Sequence, residues 1–516
     1  MDSPAALTTT QMRWLMAGLL LGLFLSSTEQ SVVATALPTM AGELGAANRI
    51  AWVVTAYLLT STIVTPLYGK MSDLYGRRIV YQTSISLFLV GTVFCGLAQT
   101  MNQLVAARAF QGLGGGGLMS LAFVIVGDVV SPRQRGRYIG LFTAVFTVSS
   151  VTGPLWGGLL VDGPGWRWVF WSVVPLSILT LVVVNRGLQL PFQKRPARID
   201  WIGIVLLVIG STALILIPVW GGDAYSWSSW QILTAGLIAA TASAAFVVQE
   251  NRAPEPIIPM RLFLDRTGAV IYAMGFLLMA SLIAVFTFLP LFLQVATGAS
   301  ATRSGLMLTP ESIGLSLVAT GSGWIVSRTG RYKWAMLLGP ALATVALVAL
   351  TRIGPDTGAL DIAPTLFLLG AGLGLVFPNL TLAVQNAAPL ADLGIATSTS
   401  NFFRSMGGAF GAAIGGAILT RRLDIELIER LGAERLDELG GAQGLIRTPA
   451  LVRDLEPAVQ QPVVESVSEA VAALAWTAAP VMLAIGLLAL LVRELPLRTS
   501  SAIGGDDQPR RQPSES

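Results

Sequence analysis

Gly69-Lys70-Met71-Ser72-Asp73-Leu74-Tyr75-Gly76-Arg77-Arg78 separates two apolar runs, 50-69 and 79-99, and it has a counterpart far down the chain. Gly323-Trp324-Ile325-Val326-Ser327-Arg328-Thr329-Gly330-Arg331 stands between runs 303-326 and 334-351, with its glycines in register and Ser327 in the place of Asp73. A second pair repeats at nearly the same offset: Gly153-Pro154-Leu155-Trp156-Gly157-Gly158 and Gly411-Ala412-Ala413-Ile414-Gly415-Gly416. The offsets are 254 and 258 residues, so one unit occurs twice. Duplication of a set of apolar runs is a common way to build a membrane carrier.

Working outward, fourteen apolar runs near membrane-spanning length can be drawn: 14-37, 50-69, 79-99, 103-127, 138-161, 167-184, 201-220, 230-248, 268-292, 303-326, 334-351, 362-384, 395-419 and 473-492. The repeats superpose runs 1-6 on runs 9-14 and leave 201-220 and 230-248 as an inserted pair. The expected fold is an all-α polytopic membrane protein. Its expected parts are a first six-helix half over 1-190, two inserted helices with linkers over 191-262, a second half over 263-497 and a disordered tail over 498-516. Composition agrees: 53% of the 516 residues are hydrophobic and 12% charged, against about 25% charged in soluble domains. The first run is a retained span rather than a cleaved signal, because Glu29 interrupts it and further runs follow at once.

Loop charge sets the orientation. Lys70, Arg77 and Arg78, then Arg133, Arg135 and Arg137, then Lys194, Arg195 and Arg198, then Arg328, Arg331 and Lys333 all follow even-numbered runs, so these loops and both termini are expected on the cytoplasmic side. The stretch 421-472, with a helix-like portion from Leu423 to Leu439, is expected as a long external loop. Tryptophans 14, 52, 166, 168, 201, 227 and 230 fall near run ends and suit an aromatic belt.

Several chemistries are excluded or unsupported. With no His and Cys95 alone, a His-coordinated zinc site, a Ser-His-Asp triad and a disulfide framework cannot be built. A net charge of +4 gives no support to nucleic-acid binding, and Gly112 to Gly117 lacks the Lys-Ser/Thr ending of a phosphate loop. The chain is therefore not expected to be an enzyme, and no cofactor is expected.

These residues resemble the major facilitator superfamily, and within it the 14-span drug:proton antiporters. Gly69 to Arg78 is similar to the superfamily's loop signature between spans 2 and 3. Leu104, Arg108, Gln111, Gly112 and Gly114 resemble its span 4 motif, and Gly140 with Gly153, Pro154, Gly157 and Gly158 resembles its span 5 antiporter motif. Thr28 to Pro38 is similar to the span 1 pattern, with Glu29 where Asp is usual. Ser149 stands in place of a usual Gly, Val173 in place of a usual Asn, and the second loop motif lacks its acid. The resemblance implies export of small amphipathic, often cationic organic compounds, driven by a proton gradient across a bacterial-type cytoplasmic membrane. A dedicated exporter of one metabolite, lipid or siderophore is the alternative within transport, and a scaffold or receptor is the alternative outside it.

Within this frame, ionisable groups at membrane depth are the functional candidates. Glu29 is the first candidate for proton coupling, or else a carboxylate fixed to Arg for assembly. Arg108 is its candidate partner, or else hydrogen-bonded to backbone. Glu311 is a second buried acid or a residue at the cavity mouth. Arg404 is a counter-charge to Glu311 or to an anionic substrate group. Asp73 is placed to accept hydrogen bonds from the start of run 13 near Gly394, and Arg77 or Arg78 to pair with Asp128. The resemblance implies that this relay, with Gly69 and Gly76, holds the halves together while the cavity opens outward. Gly153, Pro154, Gly157 and Gly158, with Gly411 and Gly415 in the second half, are expected to form close contacts between the halves, and the inserted pair to pack at the periphery.

Overall fold

The computed structural model describes residues 8-44, 49-188, 199-221, 224-297, 301-352, 354, 359-438, 452 and 455-497. Lys194, Arg195, Arg198 and the expected disordered tail lie outside the described residues. Apolar stretches interrupted by loop residues give helices throughout, because inside a bilayer a helix satisfies its own backbone groups.

The first group comprises α1 (Thr9–Leu44), α2 (Ile50–Tyr75), α3 (Arg77–Leu97), α4 (Met101–Val129), α5 (Pro132–Asp162), α6 (Arg167–Trp171) and α7 (Val173–Gly187). Next come α8 (Trp201–Trp220) and α9 (Trp230–Arg252). The remainder is α10 (Arg261–Leu264), α11 (Arg266–Phe286), α12 (Leu289–Thr297), α13 (Ala301–Met307), α14 (Thr309–Thr329), α15 (Lys333–Leu350), α16 (Ala359–Ala387), α17 (Leu393–Leu431), α18 (Ala433–Glu438) and α19 (Pro457–Leu491). Among the described residues, twelve helical segments are long and apolar enough to cross a membrane. α2 and α14, of 26 and 21 residues, are not among the twelve. Thr55, Thr60, Ser61, Thr62 and Thr65 on α2, and Ser312, Ser316, Thr320 and Ser322 on α14, lower their apolarity. Thr55, Ser61, Thr62 and Thr65 line the cavity and Ser316 and Thr320 meet α5 of the opposite group, whereas Thr60 and Ser322 face α4 and α16 within their own groups.

Two groups of helices have separate cores. Leu19, Tyr81, Phe88, Leu121 and Phe142 centre the first, and Ile271, Leu278, Met336, Leu369 and Met482 the second. The internal repeat is visible in the packing: α2 and α3 lie on α4 as α14 and α15 lie on α16, and α1 lies on α5 as α11 lies on α17. Contact between the groups is reciprocal, α5 against α14 and α17 against α2. The two loop motifs have the same backbone device, Gly76 at φ 93° and Gly330 at φ 72°, which end α2 and α14 in conformations that side-chain-bearing residues rarely adopt.

Three expectations need correction. Gly153, Gly157, Gly411 and Gly415 do not join the groups, although Gly140 of the same span 5 motif does. A Cβ on Gly153 would lie 2.4 Å from Cβ of Ser31, and Gly157 lies against Val32 and Thr35, so both seat α5 on α1 within the first group. Gly411 and Gly415 likewise seat α17 on Ala280 and Ala284 of α11, while Gly158 has nothing within 4 Å and Pro154 is exposed. The close contact between groups is made by Gly136 on Gly323 and Gly140 on Thr320. Run spacing shows that a helix has a small-residue stripe but not which neighbour it meets.

The external loop is also smaller than 421-472. α17 continues as helix to Leu431 and α19 begins at Pro457. Leu423 and Leu427 belong to the same buried cluster as Val459, Val463 and Val467. Arg430 bridges α17 and α19, 2.5 Å from Glu469 and 3.5 Å from Glu465. The helix-like portion expected from Leu423 to Leu439 is thus found, as far as Glu438, as the end of α17 and as α18. Finally, the inserted pair is peripheral only in part. α9 packs on α8, whereas α8 also contacts α2 and α17 and so covers the seam between the groups. Half-buried Asp200 caps α8, and buried Glu250 near the end of α9 accepts from Ile258 N at 3.0 Å.

The glycine geometry has a measurable consequence. A Cβ on Gly411 would lie 2.1 Å from the Ala280 carbonyl oxygen. Gly411→Ala is expected to lower stability by roughly 1–3 kcal/mol, the usual range for overpacking, whereas Gly158→Ala leaves it unchanged or slightly raised. Thermal unfolding of the purified proteins checks this; an unchanged melting temperature for Gly411→Ala refutes the close contact.

Candidate functional site

The span 1 acid and the span 4 arginine meet. α1 brings Glu29 and α4 brings Arg108 into the interior of the first group, where they are 0% and 1% exposed. Arg108 Nη1 donates to Glu29 Oε1 and, at 2.5 Å, to Gln111 Oε1. Arg108 Nε donates to the Val53 carbonyl at 3.1 Å, so both roles considered for this arginine are realised at once. Gln111 Nε2 in turn donates to Thr92 Oγ1 at 2.8 Å. Such a buried pair is tolerable only because hydrogen bonds answer most of its polar atoms. Glu29 Oε2 is the exception, buried with no partner among the described residues. Tyr57 closes the site: its ring lies 4.3 Å from the Arg108 guanidinium carbon, and its hydroxyl is 3.4 Å from Ser26 Oγ.

On the other side of Tyr57 is a cavity of about 1720 Å³ between the two helix groups. Ser26, Gln30 and Tyr57 line its wall from the first group, while Glu29 does not. Met119, Phe123, Phe146, Met279, Phe288 and Phe377 make most of the remaining surface apolar and adaptable. α8 adds Ile215, Pro218 and Val219. Along α17 the lining extends from Asn401 and Arg404 to Arg421 and Asp424, so the cavity runs along that helix away from its start.

At the start of α17 the groups are closed against each other. Arg77 sits between two acids, 2.5 Å from Asp73 and 2.5 Å from Asp128, and also donates to Ser72 Oγ. Asp73 and Arg77 press on Gly394, where an added Cβ would lie 2.5 Å from Asp73 Oδ1. The acid thus meets the first turn of α17, as expected, but its ion pair is with Arg77. Gly69 leaves room for Ser398. Ser120 and Ser398 share a hydrogen bond of 2.9 Å, and Gln385 Nε2 donates to the Phe123 carbonyl at 2.9 Å. Arg133 donates to the carbonyls of Ser327 and Arg328 at 3.0 and 3.2 Å, so the acid-free second motif is held through its backbone. Lys70 pairs with Glu255 at 2.5 Å. Arg261 forks onto Asp392 just before α17, a hydrogen bond that raises the arginine's pKa. Arg78 is not part of this closure; it points to Asn185, 2.6 Å away.

The two second-half candidates are separate. Glu311 accepts from Ser312 Oγ at 3.2 Å and has no cationic partner among the described residues. Arg404 is not its counter-charge: Nη1 donates to Thr381 Oγ1 at 3.2 Å, and the guanidinium lies 5.8 and 5.4 Å from the rings of Phe123 and Phe377. Tyr57, Thr381, Phe123 and Phe377 were not foreseen as site residues. Their types are common on apolar helices, and only the meeting of helices distant in sequence distinguishes them.

Comparison with known proteins agrees with this architecture. The sequence profile described as Major Facilitator Superfamily matches residues 19–412. An uncharacterised transporter of that type from Mycobacterium tuberculosis (strain H37Rv) is 40% identical over 481 residues, covering 93% of this chain and 69% of the relative. The multidrug transporter protein MdtP of Bacillus subtilis (strain 168) is 37% identical over 417 residues, covering 81% and 77%. Multidrug resistance protein 3 of the same organism is 36% identical, covering 79% and 80%. The crystal structure of the human organic anion transporter MFSD10 (TETRAN) superposes with a TM-score of 0.61 at 16% identity, covering 92% of this chain and 99% of that one, a likeness of fold alone. With its all-helical architecture, its internal duplication and these matches, the chain belongs to the Major Facilitator Superfamily, whose members are membrane transporters and not enzymes.

Proposed function

We propose that this transporter is a proton-coupled antiporter of the 14-span drug:proton type, exporting amphipathic organic compounds by alternating access. On this reading α2 and α14 also span the bilayer, and the chain comprises two six-helix halves, 1-190 and 263-497, with an inserted pair between them. The observation that carries the proposal is the Glu29–Arg108 pair, buried in the first half and divided from the central cavity by Tyr57. The free Oε2 of Glu29 is a place for a proton. Protonation removes the negative charge that Arg108 faces. The loaded and unloaded carriers then differ by a buried-charge energy, which is the kind of difference that biases one conformation over another.

Arginine-rich loops at the Asp73 end put that end in the cytoplasm, together with both termini. The conformation described is then closed inward and open outward, with Asp73, Arg77, Asp128, Gly69 and Ser398 at the closure. The cavity suits substrates with a substantial apolar body. Relatives named as a multidrug transporter and a multidrug resistance protein support efflux as the direction.

In proteoliposomes with an imposed pH gradient, Glu29→Gln is expected to reduce uphill transport of a dye such as ethidium to the level of protein-free vesicles. Glu29→Asp, which keeps the carboxyl, is expected to retain part of it. Full gradient-driven transport by the Gln variant rules out Glu29 as the coupling group. The closure is tested with Ser398→Cys in a Cys95→Ser background. Asp73→Asn is expected to raise labelling by an impermeant maleimide from the Asp73 side roughly fivefold, as losing about 1 kcal/mol of interaction implies. Labelling that is unchanged removes Asp73 from the closure.

A further inference from the structure

We propose that Arg404 is an anion-recognition point in the central cavity, so that the compounds this carrier prefers are amphipathic organic anions: a carboxylate, sulfonate or phosphate group on an apolar body. The inference rests on the transport reading above and refines its substrate class. A cation would be disfavoured, contrary to the expectation from family resemblance.

Arg404 is 6% exposed and lines the cavity, yet no carboxylate pairs with it among the described residues. The other buried ionised groups are engaged or remote. Glu29 belongs to Arg108 and lies behind Tyr57. Glu311 accepts from Ser312. Asp424 is the one acid in the cavity lining, 20 residues further along the same continuous helix; at 1.5 Å rise per residue that is roughly 30 Å away. A buried guanidinium is costly until an opposite charge, hydrogen bonds or water meet it, and among the described residues Arg404 has one hydrogen bond, to a hydroxyl, which leaves donors for an anion.

Its surroundings are built for such a visitor. One nitrogen is anchored by Thr381, while the ring faces of Phe123 and Phe377 lie on either side as weak cation acceptors that do not neutralise the charge. Three residues earlier on α17, one helical turn away, Asn401 also lines the cavity; its Nδ2 is buried and has no hydrogen-bond partner among the described residues. Two donors thus lie one turn apart on the helix that lines the cavity. The planar fork of Arg suits two oxygens of one oxyanion. Around them Met119, Phe123, Met279 and Phe377 offer a surface for an apolar body. A free organic anion and the head of an anionic lipid have this chemistry in common.

Two pyrene probes of similar body separate charge from size. Binding of 1-pyrenebutyrate and 1-pyrenemethylammonium to the purified full chain in neutral maltoside detergent is read by fluorescence anisotropy, corrected for empty micelles. The anion is expected to bind roughly tenfold tighter or better, the effect of one charge-assisted hydrogen bond. Arg404→Gln is expected to bring the ratio of the two affinities close to one, and Arg404→Lys to preserve most of it. Addition of phosphatidylglycerol distinguishes the sources: competition identifies a lipid head as the natural occupant, and its absence a soluble anion. Equal or tighter binding of the cation by the unsubstituted protein, which requires no variant to fold, overturns the proposal. So does a ratio untouched by Arg404→Gln. Because the measurement is at equilibrium without a pH gradient, it fails or succeeds independently of proton coupling at Glu29.

Discussion

An ionised side chain inside an apolar bundle has to be met by an opposite charge, by hydrogen bonds or by water, and that requirement places the polar residues of this transporter. Glu29 and Arg108 meet each other and draw Gln111, Thr92 and the Val53 carbonyl around them. Arg77 is held between Asp73 and Asp128. Arg135, 1% exposed, donates to the carbonyls of Val130 and Gly127. Arg404 departs from this pattern, since its described contacts are a hydroxyl and two aromatic rings. In a bundle that otherwise answers its described buried arginines with carboxylates or carbonyls, that departure is what the proposed anion site rests on.

The second constraint is steric. Helices without side chains at their crossings approach until backbone meets backbone, and then they separate only as a unit. Gly153 and Gly157 do this for α5 on α1, and Gly411 and Gly415 for α17 on α11. Each group is thereby made stiff. Contact between groups combines a close glycine crossing, Gly136 on Gly323, with polar contacts, Ser120 with Ser398 and the Asp73–Arg77 pair against Gly394. Stiff groups joined by a small polar closure provide the geometry for one group to rock on the other.

Duplication makes the closure almost symmetric, and its lapses are informative. Gly76 and Gly330 turn the chain alike, and Gly69 and Gly323 both leave space for the facing helix. Where the first motif has Asp73, however, the second has Ser327, and Arg133 is held by backbone carbonyls instead. An ion pair therefore lies on one side of the pseudo-symmetric interface and hydrogen bonds from an arginine to backbone carbonyls on the other. The inserted α8 adds a further asymmetry, since it rests on α2 and α17 and walls the cavity along that seam alone.

Much of this was legible in the chain. Hydrophobic period, the two repeated motifs and arginine-rich loops determine helices, their duplication and the placing of Glu29 and Arg108 at similar depth. The reason is that these signals are local or depend only on distance along a helix axis. Rotation about that axis is another matter. Whether Gly411 faced the other half or its own, whether Arg404 met Glu311, whether the helix-like residues 423 to 431 packed against α19, and whether α8 sat outside or along the cavity wall depended on which neighbour each helix face met. Tyr57 came to separate an ion pair from a cavity for the same reason. Those outcomes arise from packing between segments more than a hundred residues apart or from faces that hydropathy cannot tell apart, so only the tertiary structure decided them.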